Sequence, residues 1–242
     1  MAITFAVHQP SFAPWPGFFY KASVVDNFIL LDDVQFPTGF SWINRNRIKS
    51  PKGLVWLTVP VLKKGRGKQQ IKDVELLDDI RWRKKHLLTF GHSYRIAPFF
   101  SEIFPFLEDL YKAPPKRLLE FNLEIIDFIA KKLGIHDKFL LQSKLGVKGK
   151  QSELIYNIAK ELDANIFIAP RPAKGHIDIE FLNKHNIEVR WLDYRAIHYP
   201  QLWGDFLKDL SSLDLLFCYG DYSKKILFDN KESKHIWKNL IK

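Results

Sequence analysis

Residues 3–33 read ITFAVHQPSFAPWPGFFYKASVVDNFILLDD, and their reading decides the fold. Ile3 to Val7 is a short β-branched and apolar run suited to a buried first strand. Pro10, Pro14 and Pro16 forbid regular structure directly afterwards, so the chain must cross the strand's end in an extended loop. Gly17 opens the helix-like segment Phe18–Val25, and Phe28–Leu31 reads as a second strand. A strand, a short helix and a strand in so short a span form a βαβ unit with parallel pairing. Parallel strands end at one edge, so His8 and Asp32 fall together at the carboxyl edge, where open α/β sheets put their ligand sites.

Working outward, a block of amide, aromatic and basic side chains follows at Trp42, Asn44, Arg45, Asn46 and Arg47. Leu54–Val61 reads as a third strand, ended by Pro60 and the basic loop Lys63–Lys68. That loop is either a cationic arm over a phosphate or a solvated hairpin tip. Ile71–Leu76 alternates as an antiparallel edge strand would. From Ile80 to Leu133 the pattern is helical, and Trp82, His86, Phe90 and Tyr94 recur every four residues along one face. Such a stripe is core, with His86 a buried, bonded imidazole. Prolines 98, 105, 114 and 115 divide the helices, and Gly134 stops the last one.

The final third alternates again. Phe139–Leu141, Asn165–Ala169 and Glu188–Leu192 read as strands; Ser152–Leu162, with Ser152 as cap, and Ile177–His185 read as helices. Leu210–Phe217 and Tyr222–Phe228 close the chain as helices, with Ser211 or Ser212 and Asp221 as caps. The expected fold is α/β, a mostly parallel sheet with helices on both faces and a helical insertion near 80–135, forming a single domain over 1–242.

The chain has 242 residues, 46% hydrophobic and 26% charged, which describes a globular protein. The apolar run at the N-terminus is too short for a membrane span and has no basic leader. One cysteine, Cys218, excludes an internal disulfide and a cysteine-based zinc site, and the expected location is the cytoplasm. A net charge of +10 implies an anionic partner. That partner is nucleic acid, an anionic membrane surface or a phosphorylated or nucleotide-linked small molecule, and charge alone does not choose among them; basic residues spread through helical patterns, with Lys63–Lys68 the exception, read as solvated faces rather than a nucleic-acid stripe.

Candidate catalytic groups are His8, Asp32 and Asp33, a proton-transfer imidazole beside carboxylates. Gln9, Trp15, Lys21, Gln35, Trp42, Asn44, Arg45, Asn46 and Arg47 are candidate substrate contacts, dense in directional polar groups beyond the needs of a structural corner. Lys148 and Lys150, in the loop GVKGKQS (146–152) feeding a helix N-terminus, and Arg171 and Lys174, in APRPAKGH (169–176), are candidate phosphate contacts. The first loop is not a Walker A sequence, since Lys144 stands where glycine belongs and Gln151 where serine or threonine would bind magnesium. No histidine pair has metal-binding spacing, so no dedicated metal site is expected. A phosphate-bearing substrate could bring magnesium to Asp32 or Asp33. No G-x-S-x-G elbow is present, and Cys218 lies in the apolar run LDLLFCYG as a buried thiol.

The words HQPSFAPWPGFFYK, DNFILLDDVQF, WINRNRIK and WLTVPV resemble the WbqC-like proteins, with weaker echoes in RWRKKHLLTFGHSY (81–94) and HYPQLWGDFLKDLSSLDLLFCYG (198–220). That resemblance implies a bacterial protein tied to O-antigen or other surface-polysaccharide synthesis, with transfer of glycine suggested. It brings no catalytic residue set. Two function classes stand together: a transferase moving an aminoacyl or acyl group onto a nucleotide-linked or lipid-linked sugar, and a non-catalytic basic module for nucleic acid or an anionic glycolipid. A third reading is nucleotidyl or adenylate-forming transfer, since the layout is similar to nucleotidylyltransferases; here Pro14-Trp15-Pro16-Gly17 replaces their H-x-G-H.

Overall fold

The structure, a computed structural model, describes residues 2–228. In chain order the strands are β1 (Thr4–His8), β2 (Asn27–Leu30), β3 (Arg45–Ser50), β4 (Gly53–Thr58), β5 (Phe139–Leu141), β6 (Ile166–Pro170) and β7 (Glu188–Leu192). The helices are α1 (Pro16–Ser23), α2 (Ile80–Tyr94), α3 (Phe100–Lys112), α4 (Leu118–Leu133), α5 (Gln142–Leu145), α6 (Gln151–Glu161), α7 (Ile179–Lys184), α8 (Ser212–Tyr219) and α9 (Ser223–Phe228). The chain divides into two compact units.

The first unit holds the chain up to Pro10, Gly17–Val34 and Ile135–Arg195. Its sheet has five strands in the order β5-β2-β1-β6-β7, every pair parallel. From β1 the chain steps to β2 and β5, then returns to the other side of β1 for β6 and β7. The order reverses between β1 and β6, which makes their carboxyl ends, His8-Gln9 and Pro170-Arg171, the topological switch point. Alternation along β1 sends Phe5 and Val7 into a core with Ile29, Ile155 and Ile158 of α6, Phe167 and Leu182 of α7. The opposite face carries Phe28 and His8, in ring contact with Phe18 of α1. Helices therefore cover both faces of a parallel sheet, as expected.

Of the described residues, the second unit holds Ser11–Pro16, Gln35–Gly134 and 196–228. Leu54–Val61, read as a third strand, is here β4, and it pairs antiparallel with β3, from Arg45↔Thr58 to Ser50↔Gly53. The 80–135 stretch forms α2, α3 and α4. Trp82, His86, Phe90 and Tyr94 are all buried, and His86 Nδ1 meets the Tyr111 hydroxyl at 3.0 Å. Desolvation holds that imidazole down to about 4, so it stays neutral in the aromatic core. Helix α4 ends on Gly134 in the left-handed region (φ 70°), whose N–H closes onto the carbonyls of Ala130 and Lys131.

Two local readings need correction. Ile71–Leu76 is not an edge strand: Ile71–Asp73 makes one 3-10 turn, and only isolated bridges follow, Val61↔Leu76 and Glu75↔Arg117. Ile71 and Val74 are both fully buried, so the apolar positions turn inward at helical rather than strand spacing. Ser152 does not cap α6, whose N-cap is Lys150 without a side-chain bond; its hydroxyl accepts instead from the Asp178 N–H at 2.8 Å. Ser211 does cap α8, accepting from the Leu213 N–H.

Candidate functional site

His8 is the last residue of β1, at the switch point. Its ring stands edge-on to Phe18 at 5.0 Å and is stacked toward Phe28 at 6.5 Å between centroids. Lys21 lies one turn beyond Phe18 on the same face of α1 and is 3% exposed. Its Nζ donates to the Val7 carbonyl at 2.9 Å and sits 5.2 Å from the centre of the Phe28 ring.

The protonation of this pair follows from its surroundings. His8 Nδ1 is 2.8 Å from the Gln9 carbonyl oxygen. A carbonyl only accepts, so Nδ1 carries the proton and Nε2 keeps its lone pair. Desolvation, then the neighbouring Lys21 ammonium, pulls the imidazole down to about 3 against the opposing pull of that carbonyl. Some of its surface is still open, so a neutral imidazole remains reachable. Desolvation draws Lys21 down to about 7. Around neutral pH an amine shared between two protonation states stands beside a neutral acceptor, an arrangement fit for moving a proton or answering an incoming anion.

The two aspartates after β2 take different partners. Asp32, 1% exposed, accepts from the Ser143 N–H at 2.9 Å and the Ser143 hydroxyl at 2.5 Å, fastening the end of β2 to the first turn of α5. Asp33, whose side chain is 2% exposed, is ion-paired with Lys148. Ser143 lies 111 residues from its partner, and only its position in a helix that follows a strand could have marked it. Among the described residues no group of three or more His, Cys, Asp or Glu is placed to hold a metal ion. Asp32 already accepts both Ser143 bonds, and Asp33 is ion-paired with Lys148.

Lys148 anchors one end of the glycine and lysine loop. Gly149 takes φ 137°, and a Cβ there would stand 2.9 Å from the Leu154 backbone nitrogen, so the loop lies tight against the start of α6. The first turns of α6 and α7 flank a cleft of about 470 Å³ lined by Lys150, Gln151, Ser152, Gly175, His176 and Asp178. Arg171 and Lys174 are exposed on the turn that enters this region, with Arg171 Nε 3.6 Å from Asp193. The first unit thus gathers His8, Gln9, Lys21, Asp32, Asp33, Lys148, Lys150, Arg171 and Lys174 around one sheet edge.

Trp15, Gln35, Trp42, Asn44, Arg45, Asn46 and Arg47 belong to the second unit. The amide of Asn44 donates to the Val59 carbonyl at 3.0 Å, and that of Asn46 to the carbonyls of Phe12 and Ala13 at 3.1 and 2.7 Å. Ala13 takes φ 42°, a left-handed conformation that costs a non-glycine residue about 1–2 kcal/mol, and Asn46 is what holds it. Asn46→Ala would leave those buried carbonyls without their donor and lower unfolding stability by about 1–3 kcal/mol, measurable as a shifted urea midpoint at unchanged slope. Gln35 bridges to Gln70 and is exposed. Arg45 lies over Phe40 at 5.2 Å, and Arg47 over Trp42 and Trp56 at 5.7 and 5.9 Å.

A family model described as the WbqC-like protein family matches residues 9–226. An uncharacterized protein, Rv1507c, of Mycobacterium tuberculosis (strain ATCC 25618 / H37Rv) is 34% identical over 217 residues, spanning 89% of this chain and 93% of the relative. No solved structure matches the chain significantly.

Proposed function

The chain belongs to the WbqC-like protein family, and from that premise we infer that it is a transferase of bacterial surface-polysaccharide (O-antigen) synthesis, moving an aminoacyl or acyl group, with glycine the first candidate, onto a nucleotide-linked or lipid-linked sugar. The observation that carries this reading is the buried Lys21 amine beside the partly exposed His8 imidazole at the carboxyl edge of the sheet.

Magnitudes assign the roles. Protonating a group whose pKa is about 3 at pH 7 costs roughly 5 kcal/mol at about 1.4 kcal/mol per unit, whereas an amine near 7 accepts a proton at almost no cost. Lys21, held by the Val7 carbonyl, is therefore the better base toward an acceptor amine or hydroxyl, with His8 as its neutral neighbour. Lys150, Arg171 and Lys174 would bind the phosphates of the carrier, and Asp33 would hold Lys148 and its loop in place. The strand order supports a nucleotide on the substrate, because sheets of this winding bind nucleotides where the order reverses. It equally favours nucleotidyl or adenylate transfer as the second reading.

Incubating the protein with nucleotide-linked amino sugars and activated glycine or acyl donors, with products read by mass spectrometry, separates these readings. An acylated sugar supports the first, and release of pyrophosphate with a nucleotidylated product supports the second. Absence of either product across both donor sets would overturn the enzymatic reading.

A further inference from the structure

Basic residues occur throughout this chain, but acidic ones do not. From Gln35 to Lys72 there are nine lysines and arginines and not one aspartate or glutamate, so this segment alone accounts for nine of the ten net positive charges. It contains the β3–β4 ladder and lies within the second unit.

The outward face of that ladder is apolar as well as cationic. Phe40, Trp42, Leu54 and Trp56 are 56%, 42%, 39% and 43% exposed. Three of them form a single knob: Phe40 meets Trp42 and Trp56 edge-on at 5.3 and 5.5 Å, and Trp42 lies 5.4 Å from Trp56. The strand register sets Arg47 opposite Trp56, and Arg47 is fixed there by the carbonyls of Lys208 and Asp209 at 3.4 and 3.2 Å. Large contiguous apolar groups in water cost free energy and mark a surface that meets a partner.

We propose that this face docks on an anionic phospholipid bilayer. Charge selects an anionic partner, and ring geometry selects a lipid surface over single-stranded nucleic acid. Base stacking needs flat ring faces laid open along a groove. Here Phe40 stands edge-on to both tryptophans, Trp42 and Trp56 are tilted 37° to each other, and guanidinium groups lie over all three rings, so the three form a compact knob with Leu54 rather than a row of open faces along a groove. Tryptophans beside arginines are the composition of a membrane interface, where the rings sit at headgroup depth and the cations meet acidic lipid. Among the described residues no helix is long and apolar enough to cross a membrane, so docking of this kind is the form of lipid contact this surface fits. The inference is independent of the transfer chemistry.

The test is flotation of the full chain with vesicles of phosphatidylcholine alone or with about a third phosphatidylglycerol. The protein should float with the anionic vesicles at least tenfold more than with the neutral ones, and high salt should release it. Lys52→Ala and Lys64→Ala, both at exposed positions, should each weaken partition about fivefold. Trp42→Ala combined with Trp56→Ala, with fold verified by circular dichroism, should abolish flotation at moderate salt. Equal partition to neutral vesicles, unchanged binding by the lysine variants, or tighter binding to a single-stranded oligonucleotide than to acidic vesicles would overturn the proposal.

Discussion

Lys21→Met should lower the transfer rate by about 10²–10⁴-fold while the fold persists. Methionine keeps an unbranched side chain against Phe28 and removes only the amine, so packing survives and the proton acceptor does not. The rate of the unaltered protein should rise with pH through about 7, as a base of that pKa loses its proton, and this limb should vanish in the variant. Stability supplies a readout that needs no substrate. The folded-state pKa of Lys21 is depressed from 10.5 to about 7, so the fold favours the neutral amine. The cost of burying the ammonium is fully present below pH 7 and fades as pH rises toward 10.5, a gain of about 5 kcal/mol at roughly 1.4 kcal/mol per unit. Urea unfolding between pH 7 and 10 should show that rise in the parent chain and its absence in Lys21→Met. Parallel pH curves for the two proteins would remove Lys21 as a desolvated amine.

The second large effect belongs to Asp214, at the heart of the second unit. Its carboxylate is fully buried and accepts from Tyr94 at 2.7 Å and Tyr199 at 2.9 Å. Lys49, 1% exposed, places Nζ 3.3 Å from Gln201 Oε1 and 3.1 Å from the Gly204 carbonyl, with the Asp205 carbonyl as a third acceptor. Burial draws the lysine's pKa down, yet three acceptors for three protons mean that the site holds the ammonium. These bonds tie the irregular segment after Ala196 to β3 and α2. Asp214→Leu would strand two buried hydroxyls and remove the carboxylate charge that favours the nearby Lys49 ammonium, and should destabilise the protein by about 3–5 kcal/mol. Desolvation raises Asp214 to about 6, only partly offset by its tyrosine bonds and Lys49. A raised carboxyl pKa makes the protonated form the favoured one in the fold. The cost is absent below about pH 4 and complete above pH 6, a loss of about 3 kcal/mol across that window. Asp214→Asn should flatten the dependence between pH 4 and 6, and a variant with the same slope as the parent would show that another group is responsible.

How legible each element was depended on how local its cause is. The β1-α1-β2 unit and the strands β5, β6 and β7 are written in short apolar runs bounded by proline, glycine and polar residues, and they formed within a residue or two of where the pattern put them. Strand β3 hid because its sequence, RNRIKS, is mostly polar: Arg45 and Arg47 point outward, and Asn46 is buried only because the proline loop needs its amide. The shared edge of His8 and Asp32 followed from parallel pairing alone. Ser143 and Lys148, the partners of Asp32 and Asp33, lie more than a hundred residues away, and no local pattern marks a contact of that separation. The lowered pKa of Lys21 depends on burial of one particular helix face, and sequence alone does not say how deeply a lysine on a short helix sinks.

The most direct measurement on the site is an NMR titration of isotope-labelled lysine side chains, with Lys21 assigned through Lys21→Met. The expected result is one lysine titrating near pH 7, moving upward when a nucleotide-linked sugar is added. A Lys21 signal that titrates near 10.5 and ignores the nucleotide would contradict the proton-transfer role given to the switch point.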